Sequence, residues 1–223
     1  MELLYRDDRI VVCLKPAGVV STDEPGGVPE LVREALGEPD AVVKTVHRLD
    51  RVVSGLMVLA RTARAASDLS AQIRAGSFRK EYLAVCRGTL PDRGVLRDLL
   101  LRDPETRLTR VVQEPGRNVQ PAELSYETLA RTENSSLARI LLKTGRTHQI
   151  RVQFSSRGHG LLGDRRYGEP DGSPEITLWS HRICFRHPRT GEALSFSTLP
   201  AATGAWAPYA GILEKLPVDF SAE

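Results

Sequence analysis

Asp50 stands between two arginines in residues 45–61, which read TVHRLDRVVSGLMVLAR. Arg48 and Arg51 flank the carboxylate, Ser54-Gly55 supplies a turn, and the apolar run 56–61 reads as a strand. A carboxylate held beside cations stays ionised at neutral pH, because nearby positive charge favours the charged form. Such a group suits a nucleophile or a base working next to an anionic ligand, whose phosphates the same guanidiniums receive. The stretch equally describes a structural ion pair or a loop cap. Taken alone, it leaves chemistry and scaffolding both open.

The wider charge pattern points toward a polyanion. The formal net charge is only +3, but residues 1–43 hold nine acidic and four basic side chains. Residues 44–90 hold nine basic side chains against Asp50, Asp68 and Glu81, and residues 139–168 hold seven against Asp164 alone. Of 31 cationic side chains only Lys15, Lys44, Lys80, Lys143 and Lys215 are lysines. The arginine fork is the better match to phosphate, since it donates two parallel hydrogen bonds and is weakly hydrated. Two basic segments on a near-neutral chain are the footprint of a nucleic-acid surface, or of a solvated basic exterior.

Elements that would position these residues follow from turn signals and periodicity. Residues 10–15 read as a buried strand stopped by Lys-Pro-Ala-Gly, and Pro29 opens a short helix to about Leu36 with Gly37 as its cap. Thr62 caps a helix to Ala75, ended by Gly76, with Ala65, Ala66, Leu69 and Ile73 on one face. Strands are expected at 81–86, 108–112, 122–130, 137–143, 177–186 and 194–197, with Thr147 capping a helix to about Ser156. The expected class is α+β, a mixed and mainly antiparallel sheet flanked by helices, forming a single catalytic domain over 1–223. No apolar run is long enough to span a bilayer and no signal peptide is visible, so a cytoplasmic setting is expected. Cys13, Cys86 and Cys184 lack paired spacing and read as buried free thiols, which excludes a sequence signal for metal.

The stretch H-R-L-D-x-x-x-S-G-L at 47–56 resembles the signature of the RluA family of pseudouridine synthases. Lys80-Glu81-Tyr82-Leu83-Ala84-Val85 followed by Gly88 is similar to a second family segment, and Thr144-Gly145-Arg146-Thr147-His148-Gln149-Ile150-Arg151 to a third. Gly163-Asp164-x-x-Tyr167-Gly168 and His187-Pro-x-Thr-Gly-Glu192 complete the order, so that the matches span about two-thirds of the chain.

This resemblance implies the pseudouridine synthase fold with a central basic cleft, and isomerisation of a specific uridine in ribosomal or transfer RNA. It implies no metal and no nucleotide or other cofactor, because the base that leaves is the base that returns. It makes Asp50 the catalytic carboxylate, Tyr82 the aromatic that stacks on the flipped uracil, and Arg151 the cation that pairs with the aspartate. Arg48 would fill the space left by the flipped nucleotide, His47 would contact substrate, and Arg146 and His148 would organise the loop or touch phosphate. Attack at C1′, addition to C6 and deprotonation of C2′ all stay open. One departure stands out, for the family commonly has Thr where this chain has Val53, so a hydroxyl that braces the loop is missing. The strand pattern begins at the first residues, which leaves no room for an N-terminal RNA-binding domain, and a monomer is the default.

Competing patterns fit less well. A kinase His-Arg-Asp loop is interrupted by Leu49 and lacks a Gly-rich loop. A hydrolase triad from Ser54, His148 and Asp164 lacks a nucleophile elbow. The alternative that keeps the fold is a catalytically silent RNA-binding protein, against which Asp50, Tyr82 and Arg151 argue.

Overall fold

The computed structural model describes residues 1–218 and the backbone of residues 220–222. They group into two compact units, one built from 1–80, 179–200 and 217 onward, the other from 81–178 and 201–216.

The first unit is laid around two apolar strands. β1 (Glu2–Arg6) and β2 (Ile10–Lys15) form an antiparallel pair with an irregularity between Leu3 and Tyr5. α1 (Val28–Leu36) and the short β3 (Lys44–Thr45) lead to β4 (Ser54–Ala60), which runs antiparallel to β2 with Lys15 opposite Gly55. α2 (Ala63–Ala75) follows, and the chain then passes into β5 (Arg79–Arg87), most of which belongs to the second unit. β10 (Leu178–Arg186) returns parallel to β4 at Trp179–Ser54 and Ser180–Gly55, and β11 (Ala193–Ser197) and β12 (Phe220–Ala222) extend it antiparallel.

Period-two alternation explains the core. Ile10 and Val12, Leu56, Val58 and Ala60, Ile183 and Phe185, and Leu194 and Phe196 share one cluster with Ala65 and Leu69 of α2. Phe78 stacks on Phe185 at 5.3 Å between ring centroids. Val11, Cys13, Met57 and Leu59 are also fully buried, so β2 and β4 are covered on both faces. That is why they read as continuous apolar runs rather than alternating ones.

Both long helices end where their sequences foretell. The Thr62 side chain accepts the Ala65 amide hydrogen, while Gly37 and Gly76 close their helices in the left-handed region at φ 71° and 72°.

The second unit is an antiparallel series in the order β5, β9, β8, β6, β7. Here β6 is Arg93–Arg102, β7 Thr109–Val112, β8 Val119–Arg131 and β9 Ser135–Leu142. β6 carries no expectation from the sequence. Its buried Leu96 and Leu100 are four residues apart and are separated by Arg97 and Asp98, so a strand's alternation is not visible. α3 (Gln149–Ser155) follows β9, and a 3-10 turn at Gly204–Tyr209 runs into α4 (Ala210–Leu213), again without a sequence signal. Tyr209 is anchored there by a 2.7 Å hydrogen bond between its hydroxyl and that of Ser135.

The expected α+β class with a mainly antiparallel sheet is what forms. Two details differ. Cys13 and Cys86 are buried, and burial pushes the Cys13 thiol up to about 12 and the Cys86 thiol higher still, but Cys184 is only partly buried. At α3 the cap position belongs to His148, not Thr147, with φ 57° and no side-chain cap. Among the described residues no helix is long and apolar enough to cross a membrane.

Candidate active site

His47, Arg48 and Asp50 share one loop of the first unit, between β3 and β4. Its shape is set from residues 15–21. The Ser21 hydroxyl donates to the Leu49 carbonyl at 2.8 Å and accepts the Leu49 amide hydrogen at 3.0 Å, so one side chain satisfies both backbone groups of the residue before Asp50. Lys15 is fully buried, and its ammonium donates to the carbonyls of Pro16, Arg51 and Val53 at 2.9, 3.1 and 2.7 Å. All three of its donors are thereby used. Burial draws the Lys15 pKa down to about 8, with the charge of Asp50 acting the other way.

The loop closes on itself through the Val53 amide, which donates to the Asp50 carbonyl at 3.0 Å. Gly18 donates its amide to the Arg51 carbonyl and accepts from Arg51 Nε, both at 2.8 Å. Val53 is buried, and bracing reaches its carbonyl from Lys15 rather than from a hydroxyl on residue 53. Arg48 and Arg51 are exposed on either side of the half-buried Asp50.

His47 lies inside the loop. Its Nε2 accepts the Val58 amide hydrogen at 3.1 Å and its ring tilts against Phe78. Burial, reinforced by the charge of Lys80, draws its pKa down to about 3. Nδ1 is buried with no hydrogen-bond partner among the described residues. The ring is therefore neutral at ordinary pH and is engaged with the β4 backbone.

Gly55 fixes how the loop enters β4. Its φ is 119°, and a Cβ there would stand 2.4 Å from the Ser180 carbonyl oxygen and 2.5 Å from the Ser180 amide nitrogen. Only glycine lets β4 and β10 approach this closely.

The remaining candidates belong to the second unit. Tyr82 is buried in β5 opposite Ile140 of β9. Arg146, His148 and Arg151 lie on the turn into α3 and on its first residues. Gln149 ties that turn, accepting from the Arg146 amide at 3.0 Å and the Thr144 hydroxyl at 2.8 Å while donating to the Glu123 carbonyl. Arg146 Nε donates to the Pro121 carbonyl at 2.9 Å.

Arg151 is buried, and its Nε and Nη2 donate to the two oxygens of Asp164 at 2.8 and 2.7 Å. Asp164 Oδ1 also accepts the Arg166 and Tyr167 amide hydrogens. Burial alone would raise the Asp164 pKa, but Arg151 and these amides outweigh it and hold the carboxyl below its usual range. The guanidinium carbon of Arg151 sits 5.1 Å from the Tyr167 ring centroid. The Tyr167 hydroxyl accepts the Thr109 amide hydrogen at 2.9 Å and lies 2.6 Å from His148 Nδ1. The sequence alone assigns no supporting role to Asp164, Tyr167, Lys15 or Ser21. For Asp164 and Tyr167 the signal was present, since both are fixed positions of the fourth matching segment.

The family model for RNA pseudouridylate synthase matches residues 9–156. The chain belongs to this family. It is 35% identical over 210 residues to the dual-specificity RNA pseudouridine synthase RluA of Pasteurella multocida, covering 90% of this chain and 94% of that protein. The Escherichia coli protein of the same name is 34% identical over 206 residues. The ribosomal large subunit pseudouridine synthase D of Neisseria meningitidis serogroup A is 35% identical over 217 residues, and the chain spans 57% of its length. Among solved structures, human RNA pseudouridylate synthase domain containing 1 superposes with a TM-score of 0.76 at 21% identity, covering 98% of this chain and 96% of that one. The RluA-type pseudouridine synthase fold is therefore the fold of this protein.

Proposed function

We propose that residues 1–223 act as one catalytic domain that isomerises specific uridines in ribosomal or transfer RNA to pseudouridine. The N1–C1′ glycosidic bond breaks, the uracil turns, a C5–C1′ bond forms, C5 loses its proton and N1 gains one. Product and substrate are isomers, so no atoms or electrons are exchanged with a co-substrate, and the proposed reaction proceeds without a cofactor. The observation that carries the reading is the Asp50 loop, a carboxylate mounted on a backbone tied at Leu49 by Ser21 and at Arg51 and Val53 by Lys15. Positioning of that quality is what a reacting group needs, since small misplacements cost large factors in rate. A surface ion pair has no use for it.

In this reading Asp50 is pressed against the nucleoside. Tyr82 stacks on the uracil for roughly 1–3 kcal/mol, against an unstacking cost of about a few kcal/mol for flipping. Arg151 holds the charge of the catalytic carboxylate, Arg48 fills the vacated place in the RNA, and Arg146 and His148 meet the backbone. His47, first expected on the substrate, is better suited to holding the loop, because its ring is buried and its Nε2 is engaged. The proposed protein is a cytoplasmic monomer. Purified protein incubated with uridine-containing ribosomal and transfer RNA transcripts, without added metal or nucleotide, is expected to form pseudouridine. Protein that binds such RNA, and RNA isolated from a deletion strain, yet forms no pseudouridine on either would favour the silent RNA-binding reading.

A further inference from the structure

Arg151 is a long side chain, and holding it still costs rotamer entropy. It projects from a seven-residue helix that has no side-chain cap. A separate segment, 163–168, grips its guanidinium. The Asp164 fork engages Nε and Nη2 together, which sets the plane of the group and hence the direction of Nη1. The Tyr167 ring lies against the same guanidinium, and the Tyr167 hydroxyl is itself held by the Thr109 amide and placed beside His148. Asp164 is as firmly held as the group it holds, through the amides of Arg166 and Tyr167.

The backbone on both sides of Asp164 requires glycine. Gly163 has φ 73°, and a Cβ there would fall 1.9 Å from the Glu175 carbonyl oxygen. A Cβ at Gly168 would stand 2.8 Å from the Asp164 carbonyl oxygen. Stability alone does not call for such a device, because a buried ion pair replaced by apolar side chains of similar volume is often as stable or more so.

We propose that Asp164 is a positioning residue for the isomerisation, acting through Arg151, with the Tyr167 ring as the second wall of the clamp. This rests on the reading of the chain as a pseudouridine synthase in which Arg151 serves the catalytic carboxylate. A clamp that only aims Arg151 changes the chemical step and leaves RNA affinity alone, and its effect vanishes once Arg151 can no longer be aimed. Lysine at 151 keeps a charge but cannot form the fork.

The test is single-turnover kinetics and RNA affinity on an RNA that the wild-type protein modifies, with thermal unfolding followed for each variant. Asp164→Asn is expected to slow the chemical step by at least about tenfold with affinity unchanged within about twofold. In an Arg151→Lys background the same substitution is expected to cost less than about twofold further. Should Asp164→Asn fail to fold, Tyr167→Leu, at a half-buried position, carries the same test through the single-turnover rate at saturating RNA, with an expected fall of about threefold or more; its affinity is not part of the test, because the Tyr167 hydroxyl also stands beside His148. An active wild type with either variant at the wild-type rate, a loss in Asp164→Asn confined to affinity, or a loss that simply adds to that of Arg151→Lys overturns the inference alone. A wild type that forms no pseudouridine overturns the underlying reading and the inference with it.

Discussion

An imidazole whose Nε2 accepts the Val58 amide hydrogen cannot take a proton there without giving up that bond, and burial beside Lys80 makes the charged form costlier still. In the unfolded chain His47 titrates near its ordinary value of 6.5, whereas in the folded protein it stays neutral down to about 3. Across that window the unfolded state binds the extra proton, so this residue's contribution to stability falls as pH falls. Urea unfolding should show a loss approaching about 1.4 kcal/mol per pH unit well below 6.5. In His47→Gln that component should be gone, and an unchanged slope between pH 6 and 4.5 would contradict the placement. The same scale shows what one residue's identity conceals. The type and spacing of Asp50 between two arginines were plain to read, but its support comes from Lys15 and Ser21, about thirty residues earlier. Nothing local marks a lysine as buried or a serine as the partner of Leu49. The absent hydroxyl at Val53 looked like a loss of bracing because the bracing from Lys15 could not be seen.

At the scale of elements, the turn into β4 depends on one backbone position. Gly55→Ala would place a methyl group against the Ser180 backbone and force φ 119° on a residue with a side chain. The expected cost is about 3 kcal/mol or more, read as a lowered midpoint in denaturant, because backbone rather than a flexible side chain stands in the way. Stability within 1 kcal/mol of wild type would show that β4 and β10 can separate without harm. Elements were legible where a local signal fixed them. Thr62, Gly76, Pro29 and Gly37 bounded their helices to within a residue, and the apolar runs at 10–15 and 56–61 became β2 and β4. β6 was not legible, since its Leu96 and Leu100 mimic helical spacing and its register is dictated by β8. Nor was the start of α3, where the Gln149 side chain organises the turn that Thr147 was expected to cap.

For the whole molecule, the two basic segments at 44–90 and 139–168 predict how RNA is held. Affinity should fall steeply with salt through counterion release, with a logarithmic slope of about −0.7 per phosphate neutralised on single strands. Arg146→Ala should lower the magnitude of that slope by about 0.7, one phosphate's share, without changing which uridine is modified. A flat response in a filter-binding titration would remove these segments from the RNA path. The five matching segments made the family readable, and two of them show why they are fixed, Gly55 by its close approach to Ser180 and Asp164 by its fork on Arg151. Charge counts alone had left nucleic acid and an ordinary basic surface undecided. The central claim is that Asp50 carries the chemistry, and it is tested most directly by comparing wild type with Asp50→Asn on one RNA for both pseudouridine formation and affinity. The account predicts that Asp50→Asn binds that RNA within a few-fold of wild type and forms no pseudouridine. Pseudouridine formed by Asp50→Asn at a rate near that of wild type would contradict it.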